Sequence, residues 1–600
     1  MIYIKTAAFA LLAFFLMNSC NNAVTTSDSN YAIVRVTPDE EIPTKKLTII
    51  FKKDMPEDFS AEDIVIIADF AVVKGTLTRI DTATYELPVL FAGSGKIKVS
   101  LAPYSFTGWS VFETDSEVHP HEFTFSKNSR SVSPQELTIT GFRPGYIAPN
   151  TSLIMPDEAI GFPVSIIGEN AFRSRGITEI TLPEALVTIG PNAFFGNHIK
   201  ELLFGDNVTA IGTGAFSGNQ LAVLVIPGNV KTIGANSFLN NQLNSVTIMP
   251  GVNTIQALAF GNNQLTDVTI PESVEFLSGF NSNRLDTIII PQGVISIGTN
   301  AFSDNNLTAV TISGSVRSIG SGAFADNNLE SIIIPDSVTT IEMNAFRNNR
   351  LKTITIPPGI TSVGQSVFSG NNLTSVTLPA GVNSIGSFAF EGNELSGIII
   401  PANVTTIGEN AFADNHLENI DIPNTVTVIG AGAFADNRLT HINIPLSLRN
   451  GIIESGVFRN NNLTTLIIPE NIINIGPNAF ANNNLENVII PGTVIAIGAG
   501  AFANNRIHEF IFPGAVTFID ESVLANNLLE TITIPGNIGI IRNRAFAGNR
   551  LTSITIGSNV LFNGIPFDNG FEIAYNNNGK LGGTYTRENT NTAEWKVPEM

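Results

Sequence analysis

The sequence is poor in the residues that cross-link a protein or give it a basic surface. Cys20 is the only cysteine in 600 residues, and a single thiol cannot form an internal disulfide. Only 14% of the residues are charged, with 32 basic against 52 acidic side chains and a net charge of −20. Because the lysines and arginines form no cluster, the chain lacks the electrostatic footprint of a nucleic-acid-binding protein. The acidic excess is an ordinary means of keeping a β-rich chain soluble.

Tyrosine and tryptophan are absent between Tyr146 and Tyr575, although the chain contains 40 phenylalanines. Phenylalanine without these relatives predicts packing inside a core. The region therefore lacks the exposed Tyr or Trp platforms that are common in sugar binders and at interface hot spots.

Catalytic motifs are also missing. The chain has no G-x-S-x-G, H-E-x-x-H or P-loop sequence and no cysteine nucleophile, so we expect neither an enzymatic activity nor a cofactor. His119 and His121 flank Pro120, but two histidines without a third ligand at a set spacing are a weak metal motif. We interpret this segment as a solvated loop and predict no metal site.

The dominant feature of the sequence is a 22-residue repeat that extends from about Ile166 to Gly557. Two spacings differ, one of 20 residues before Phe280 and one of 24 before Phe458. A period between 20 and 29 residues predicts a solenoid in which each repeat forms one coil. One slot of the repeat is phenylalanine in every copy but one, and it is occupied in chain order by Phe172, Phe194, Phe216, Phe238, Phe260, Phe280, Phe302, Phe324, Phe346, Phe368, Phe390, Phe412, Phe434, Phe458, Phe480, Phe502, Leu524 and Phe546.

The repeat reads N-x-L-x-x-[IV]-x-[IL]-P-x-x-V-x-x-I-G-x-x-A-F-x-x. Its first half has the alternation of a short strand, so Val376 and Leu378 are predicted to point inward. Ser375 and Thr377 are then predicted to point outward. The proline that follows ends the strand, because proline cannot donate to a ladder of backbone hydrogen bonds.

The second half of the repeat is predicted to return the chain along the far side of the coil. Gly386 is expected to permit the turn that follows, and the Ala-Phe pair to fill the remaining corner. The residue three after the phenylalanine slot is asparagine in seventeen copies, from Asn197 to Asn549, and only Arg175 departs. Asparagine can satisfy backbone donors and acceptors at a turn, so we predict a stacked ladder with a structural role.

The complete pattern, with I-P before V-x-x-I-G-x-x-A-F, closely resembles the BspA-like leucine-rich repeat family of bacterial surface proteins. One departure is that family members often have cysteine where this chain has Asn197 and its equivalents, which leaves the predicted fold unchanged. The expected fold class is mainly β, a right-handed leucine-rich-repeat solenoid of about 18 coils preceded by an immunoglobulin-like β-sandwich. The resemblance implies adhesion to host proteins or to other bacteria.

The N-terminus has the pattern of a secretory signal. Lys5 precedes an apolar run from Ala7 to Met17, which is shorter than a membrane-spanning helix requires. The segment resembles a bacterial lipoprotein signal covering residues 1–20, which implies cleavage before Cys20 and lipidation of its thiol. The alternative is plain secretion with a free N-terminal cysteine. Residues 21–30 are small and polar and suit a flexible tether.

Residues 31–126 contain seven short alternating runs, which favour a β-sandwich. The strings F-S-A-E-D-I at 59–64 and K-G-T-L-T at 74–78 resemble immunoglobulin-like modules of bacterial surface proteins, whose role would be that of a spacer. We predict a linker at 127–136, the solenoid with its N-terminal cap at 137–557, and a C-terminal cap or small β module at 558–600. Because aromatic residues return after Gly557, a binding patch for a surface polymer is the alternative for this last segment.

The outward slots of the strands form the candidate binding face. An exposed β-branched stripe is either a partner-binding patch or simply a consequence of β-propensity. We predict a scaffold that binds extracellular or cell-surface proteins, used as an adhesin for host extracellular matrix or other bacterial-surface macromolecules, secreted and attached to the membrane through its N-terminal lipid only. The alternative is a structural or self-associating surface component without a specific host ligand. The candidate residues are Ile289, Ile333, Thr355, Thr377, Ile399, Asp421, Asn443, Ile467, Ile489 and Ile511.

Overall fold

The structure is mainly β and forms a solenoid of about 18 turns, as the repeat predicts. This computed structural model describes strand segments between residues 32 and 101, residues 123–127 and 137–142, and then residues 152–159, 162–590 and 594–597. In these residues, the one α-helix is Phe571–Asn577. The predicted signal peptide with Cys20, the tether, His119 and His121, and residues 128–136 of the predicted linker lie outside the described residues.

The chain divides into two compact units. The first consists of Met1–Ile255 with Ala259–Ser273, and the second of Gln256–Leu258 with Val274–Met600.

The N-terminal strands of the first unit are all antiparallel. The central strand Thr84–Phe91 pairs with Thr44–Phe51, Val72–Lys74 and Thr78–Arg79. Two further pairs are Ala32–Pro38 with Thr44–Phe51, and Ile64–Ala68 with Ile97–Leu101. These strands overlap the predicted alternating runs, and the immunoglobulin-like identity of the module stays a prediction.

The start of the solenoid lies against an antiparallel strand. Leu137–Phe142 pairs in parallel with Phe162–Ile167 and antiparallel with Phe123–Lys127. Glu158–Ala159 forms a short antiparallel pair with Phe162–Ile167. The rings of Phe123 and Phe142 stack 5.8 Å apart, so aromatic side chains cover the first coil.

Most coils have a proline at one position of the repeat. We call the strand segments before and after this position the pre-proline and post-proline strands, also in the coils where another residue replaces the proline. The pre-proline strands contain β-branched residues in alternation, and in most coils the proline ends them because its nitrogen has no hydrogen to donate. Ser313 and Gly557, for example, occupy the proline position after their strands. In the first unit these strands are Ser152–Ile154, Glu179–Thr181, Val223–Ile226 and Ser245–Ile248. In the second unit they are Thr287–Ile290, Ala309–Ile312, Thr353–Thr355, Ser375–Thr377, Thr465–Ile467, Asn487–Ile489, Thr531–Thr533 and Ser553–Ile556.

The post-proline strands are shorter and pair in parallel with their equivalents in neighbouring coils. In the first unit they are Phe162–Ile167, Thr188–Ile189, Ala210–Ile211, Thr232–Ile233 and Thr254–Ile255. In the second unit they are Phe276–Leu277, Ser296–Ile297, Ser318–Ile319, Thr340–Ile341, Ser362–Val363, Ser384–Ile385, Thr406–Ile407, Val428–Ile429, Ile452–Ile453, Asn474–Ile475, Ala496–Ile497, Phe518–Ile519, Ile540–Arg542 and Leu561–Asn563. A 3-10 turn at Arg449–Gly451 accommodates the two extra residues of the 24-residue spacing.

The phenylalanine slot forms a column of stacked rings in each unit. The rings of Phe346 and Phe368 have centroids 5.6 Å apart and planes 2° apart, and both side chains are fully buried. The one leucine in the column, Leu524, is compensated by Phe510 and Phe512, which are buried in the preceding pre-proline segment with ring centroids 4.9 Å apart. The interior is therefore filled where the column loses a ring.

The predicted asparagine ladder is confirmed. The side-chain amide of Asn371 donates to the carbonyl oxygens of Phe346 at 3.0 Å and Phe368 at 3.1 Å. Its carbonyl oxygen accepts the backbone N–H of Leu351 at 3.1 Å. One buried side chain thus satisfies three backbone groups on two successive coils, and the same set of bonds recurs along the repeat, for example at Asn415.

A turn follows Gly386 at residues 387–390, as predicted, but the conformation of the glycine itself is not what requires it. The backbone of Gly386 does not adopt a positive φ; in its coil Phe388 at 60° and Gly392 at 64° do. A Cβ atom at Gly386 would instead lie 2.7 Å from the carbonyl carbon of Gly364 in the preceding coil. Glycine is required there because two backbones approach each other closely.

The C-terminal segment closes the second unit. Gly583–Thr586 pairs antiparallel with Ser553–Ile556, which ends the row of parallel strands. The phenol of Tyr575 donates to the carbonyl oxygen of Gly557 at 2.6 Å and accepts the N–H of Val560 at 3.0 Å. The aromatic residues Phe567, Phe571, Tyr575, Tyr585 and Trp595 are all buried, so they pack as a cap and do not form an exposed platform.

Candidate binding face

The outward slots are exposed because the strand alternation is maintained from coil to coil. In Thr465–Ile467 the central Leu466 is buried, while Thr465 and Ile467 are exposed. Thr353–Thr355 has the same pattern around Ile354. Successive side chains of a strand point to opposite faces, so each coil adds two outward positions to one surface. We call this surface the pre-proline face.

All ten predicted face residues are exposed on the second unit. The six isoleucines have exposed fractions from 61% at Ile489 to 86% at Ile399. Each isoleucine lies two residues before the proline position of its coil, which is the outward slot predicted from the repeat. The structure therefore places these side chains in solvent, where a partner could contact them.

Strand pairing brings some of these residues side by side. Ile467 and Ile489 are direct partners in a parallel pair, and so are Thr355 and Thr377. Ile289 has Thr311 as its partner, so the apolar slot alternates with a polar one there. Three successive coils have isoleucine in this slot, at Ile467, Ile489 and Ile511.

The comparison with protein families decides the classification of these coils. The sequence pattern of the family described as "BspA type Leucine rich repeat region (6 copies)" matches residues 165–279, 278–383, 339–450 and 451–568, which together are more than half of the chain. The chain belongs to this family.

Several solved structures are similar to this BspA-type repeat protein. A leucine-rich repeat protein from Bacteroides ovatus is 23% identical, with 65% of this chain and 92% of that chain covered and a TM-score of 0.41. A leucine rich cell surface protein from Faecalibacterium prausnitzii is 21% identical, with coverage of 72% and 87% and a TM-score of 0.25. The pneumococcal vaccine antigen PcpA is 16% identical, with coverage of 75% and 98% and a TM-score of 0.34. Comparison with the curated proteins found no match.

The polar members of the BspA-type face differ in their availability. Asn443 uses its side chain within the solenoid, since its carbonyl oxygen accepts the N–H of Ile422 at 2.9 Å and its amide donates to the carbonyl oxygen of the same residue at 2.7 Å. Asp421 instead lines a shallow depression of about 440 Å³ together with Ser375, Gly397 and Ile399. Gly397 occupies an outward slot without a side chain, which explains why the surface is lower there.

Sequence reasoning missed this depression and the carboxylates beside the isoleucine row. Glycine in an outward slot was the available signal for the depression. Glu486, Glu509 and Glu530 are exposed on consecutive coils of the face. Elsewhere on the face, the side chain of Lys352 donates a hydrogen bond to Glu330 at 2.7 Å, and this bond and the lysine charge lower the pKa of the Glu330 carboxyl.

The described residues provide neither a metal-binding cluster nor a membrane-spanning helix. Among the described residues, no group of three His, Cys, Asp or Glu side chains could hold a metal ion. Within the same part of the chain, none of the helices has the length and apolar character that crossing a membrane requires. Cys20, the predicted lipidation residue, lies outside the described residues.

Proposed function

We propose that this protein is a cell-surface scaffold that binds macromolecules through the pre-proline face of its solenoid. In this proposal it acts as an adhesin for host extracellular matrix or other bacterial-surface macromolecules, and it is secreted and held at the membrane by lipid on Cys20. The observation that supports the binding role is that six isoleucines in the same outward slot of the repeat have 61–86% of their surface exposed. Exposed apolar side chains that recur on one surface are typical of interaction sites.

The regular repeat explains why such a face is suited to large ligands. Each coil supplies outward positions at a fixed spacing, so the surface presents many side chains to one extended partner. The backbone beneath is held by the asparagine ladder and the phenylalanine column, so the outward side chains can vary without loss of the core. Function on this fold is therefore determined by the outward residues.

The proposal predicts that charges placed on the face abolish ligand binding. The full chain is tested against a panel of extracellular-matrix proteins and bacterial-surface glycans, and any saturable ligand is then measured with the variants Ile333→Glu with Ile399→Glu, and Ile489→Glu. We expect at least one variant to lose about tenfold or more in affinity, because a carboxylate that loses water without a partner costs well over 1.4 kcal/mol. Surface plasmon resonance gives the affinities.

The matched control uses isoleucines on the post-proline side. Ile295 and Ile495 are about half exposed there, so Ile295→Glu with Ile495→Glu adds the same charge to another surface. Binding should survive this change. If all face variants bind like the unchanged chain, or if the protein only associates with itself, the adhesin proposal is wrong and a structural surface component takes its place.

A further inference from the structure

Three successive coils of the second unit carry isoleucine in the same outward slot. We call Ile467, Ile489 and Ile511 the isoleucine patch; their exposed fractions are 69%, 61% and 75%. Ile467 and Ile489 are strand partners, and the N–H of Ile468 donates to the carbonyl oxygen of Ile489 at 2.9 Å. Ile467 and Ile489 therefore lie side by side on a hydrogen-bonded backbone, and Ile511 occupies the equivalent slot of the next coil.

The surroundings of the isoleucine patch are acidic. Glu486, Glu509 and Glu530 lie in outward positions of the same coils and the next one, and all three are exposed. In the described part of the chain none of the three forms an ion pair. The strand segments 463–468, 485–490, 507–512 and 529–534 contain no lysine or arginine. The basic side chains beside this row are Arg506 and His508, which are exposed but, among the described residues, form no ion pair with the three carboxylates. Three carboxylates against one arginine give the rim of the isoleucine row a net negative charge.

Another exposed isoleucine, Ile333, has a different environment. Ile333 is 84% exposed, but the acidic side chain of its coil, Glu330, is paired with Lys352 at 2.7 Å. The residues in the same slot of the preceding and following coils, Thr311 and Thr355, are polar. Among the described coils, the isoleucine patch is the one place where three successive coils have an apolar side chain in this slot, and the carboxylates beside it form no ion pair.

We infer that the isoleucine patch docks a protein segment that presents apolar side chains flanked by lysine or arginine. This inference rests on the proposed function, because it assigns a partner class to the same face. Apolar contact removes the isoleucines from water, and the carboxylates attract a basic partner and repel nucleic acids and anionic membranes. The complementary charge also sets the orientation of the segment on the row.

Synthetic peptides test the chemistry of this partner. A fluorescent 12-residue peptide of alternating valine and lysine is titrated with the full chain, and a valine–glutamate peptide and a glycine–lysine peptide serve as controls. Fluorescence anisotropy should show saturable binding of the valine–lysine peptide and at least about tenfold weaker binding of both controls. Raising NaCl from about 0.05 to about 0.5 M should weaken binding several-fold, because salt screens exposed charges.

Variants locate the binding on the patch. Ile489→Ser, and separately Glu486→Gln with Glu509→Gln, should each weaken the valine–lysine peptide by about tenfold, roughly 1.4 kcal/mol. Ile333→Ser with Glu330→Gln is the matched control and should leave the affinity unchanged. All these side chains are exposed, so the variants are expected to fold.

Three results would overturn the inference. The first is that the patch variants bind the valine–lysine peptide as tightly as the unchanged chain does. The second is that the unchanged chain binds the valine–glutamate peptide as tightly as the valine–lysine peptide. The third is self-association in sedimentation velocity that Ile489→Ser removes, since the patch would then take a second copy. The proposed function is tested separately from this inference. It stands if the Ile333→Glu and Ile399→Glu changes abolish binding of a ligand from the panel, even when the isoleucine patch binds no peptide.

Discussion

At the residue scale, the asparagine ladder shows how one residue type in a repeated slot stabilises the solenoid. Asn371 is 7% exposed and bonds backbone groups of its own coil and of the one before it. A buried backbone group without a partner costs about 1–3 kcal/mol, so each asparagine holds two coils together at a point where water cannot replace it. This explains why the slot keeps one residue type in seventeen copies.

We predict that Asn371→Ala destabilises its two coils by about 2–4 kcal/mol, because three buried backbone groups lose their side-chain partner. Asn372→Ala is the matched control, since the adjacent Asn372 is exposed and its side chain donates only to Glu394, at 3.3 Å. Hydrogen exchange of peptides covering residues 346–373 measures local opening, which suits a repeat protein whose coils can open separately. Equal protection in both variants would contradict the role of the ladder.

At the element scale, the distance between neighbouring coils is limited by glycine. A Cβ atom at Gly498 would lie 2.6 Å from the backbone nitrogen of Pro477, whereas one at Gly492 would meet nothing within 4 Å. Both glycines belong to one coil, six residues apart. The first is required by the approach of the preceding backbone, and the second lies in open space.

Gly498→Ala should therefore destabilise the coil by about 1–3 kcal/mol, because backbone atoms must shift to admit the methyl group. Gly492→Ala should be neutral or slightly stabilising, since it reduces the freedom of the unfolded chain. Urea unfolding followed by far-UV circular dichroism measures both. A stable Gly498→Ala variant would show that the coils can separate at little cost.

At the scale of the whole molecule, the ends of the solenoid need a different solution from its middle. The last parallel strand would expose an unpaired edge, and Gly583–Thr586 covers it in antiparallel pairing. The helix Phe571–Asn577 brings Glu572 into the cap, where its carboxylate accepts the N–H of Phe567 at 2.5 Å. Burial raises the pKa of the Glu572 carboxyl, and the nearby charge of Asp568 raises it further.

This shift predicts a pH dependence of the cap. The folded protein binds a proton at Glu572 more tightly than the unfolded chain, whose glutamate pKa is about 4.3, so the contribution of this group to stability falls as the pH rises from about 4 through the folded pKa. Glu572→Gln removes the titration while keeping an oxygen for Phe567. The variant should therefore gain stability relative to the unchanged chain between pH 4 and pH 7.

Trp595 provides the measurement. The chain contains two tryptophans, Trp109 and Trp595, and the second is buried in the cap. In a Trp109→Phe background, urea unfolding followed by tryptophan fluorescence at pH 4 and pH 7 reports on the cap. Glu588→Gln, at an exposed carboxylate of the same segment, is the control. A stability difference for Glu572→Gln that is the same at both pH values would exclude the predicted linkage.

The sequence by itself determined the repeat, its family, the inward and outward slots and the roles of phenylalanine and asparagine. Each of these depends on a fixed 22-residue period, which places equivalent residues above one another whatever the details of the coil. The exposure of the ten face residues was predictable for the same reason, because all ten occupy one outward slot of the repeat.

Tertiary structure alone decided how close the coils lie and what surrounds each exposed residue. The period does not give the distance between neighbouring backbones, so the reason for Gly386 could be found only from the approach of Gly364. It likewise does not give which outward side chains are paired, and the structure distinguishes Asn443, bonded to Ile422, from the unpaired carboxylates beside Ile489. Those differences arise from contacts between residues about 22 positions apart, which a local pattern does not contain.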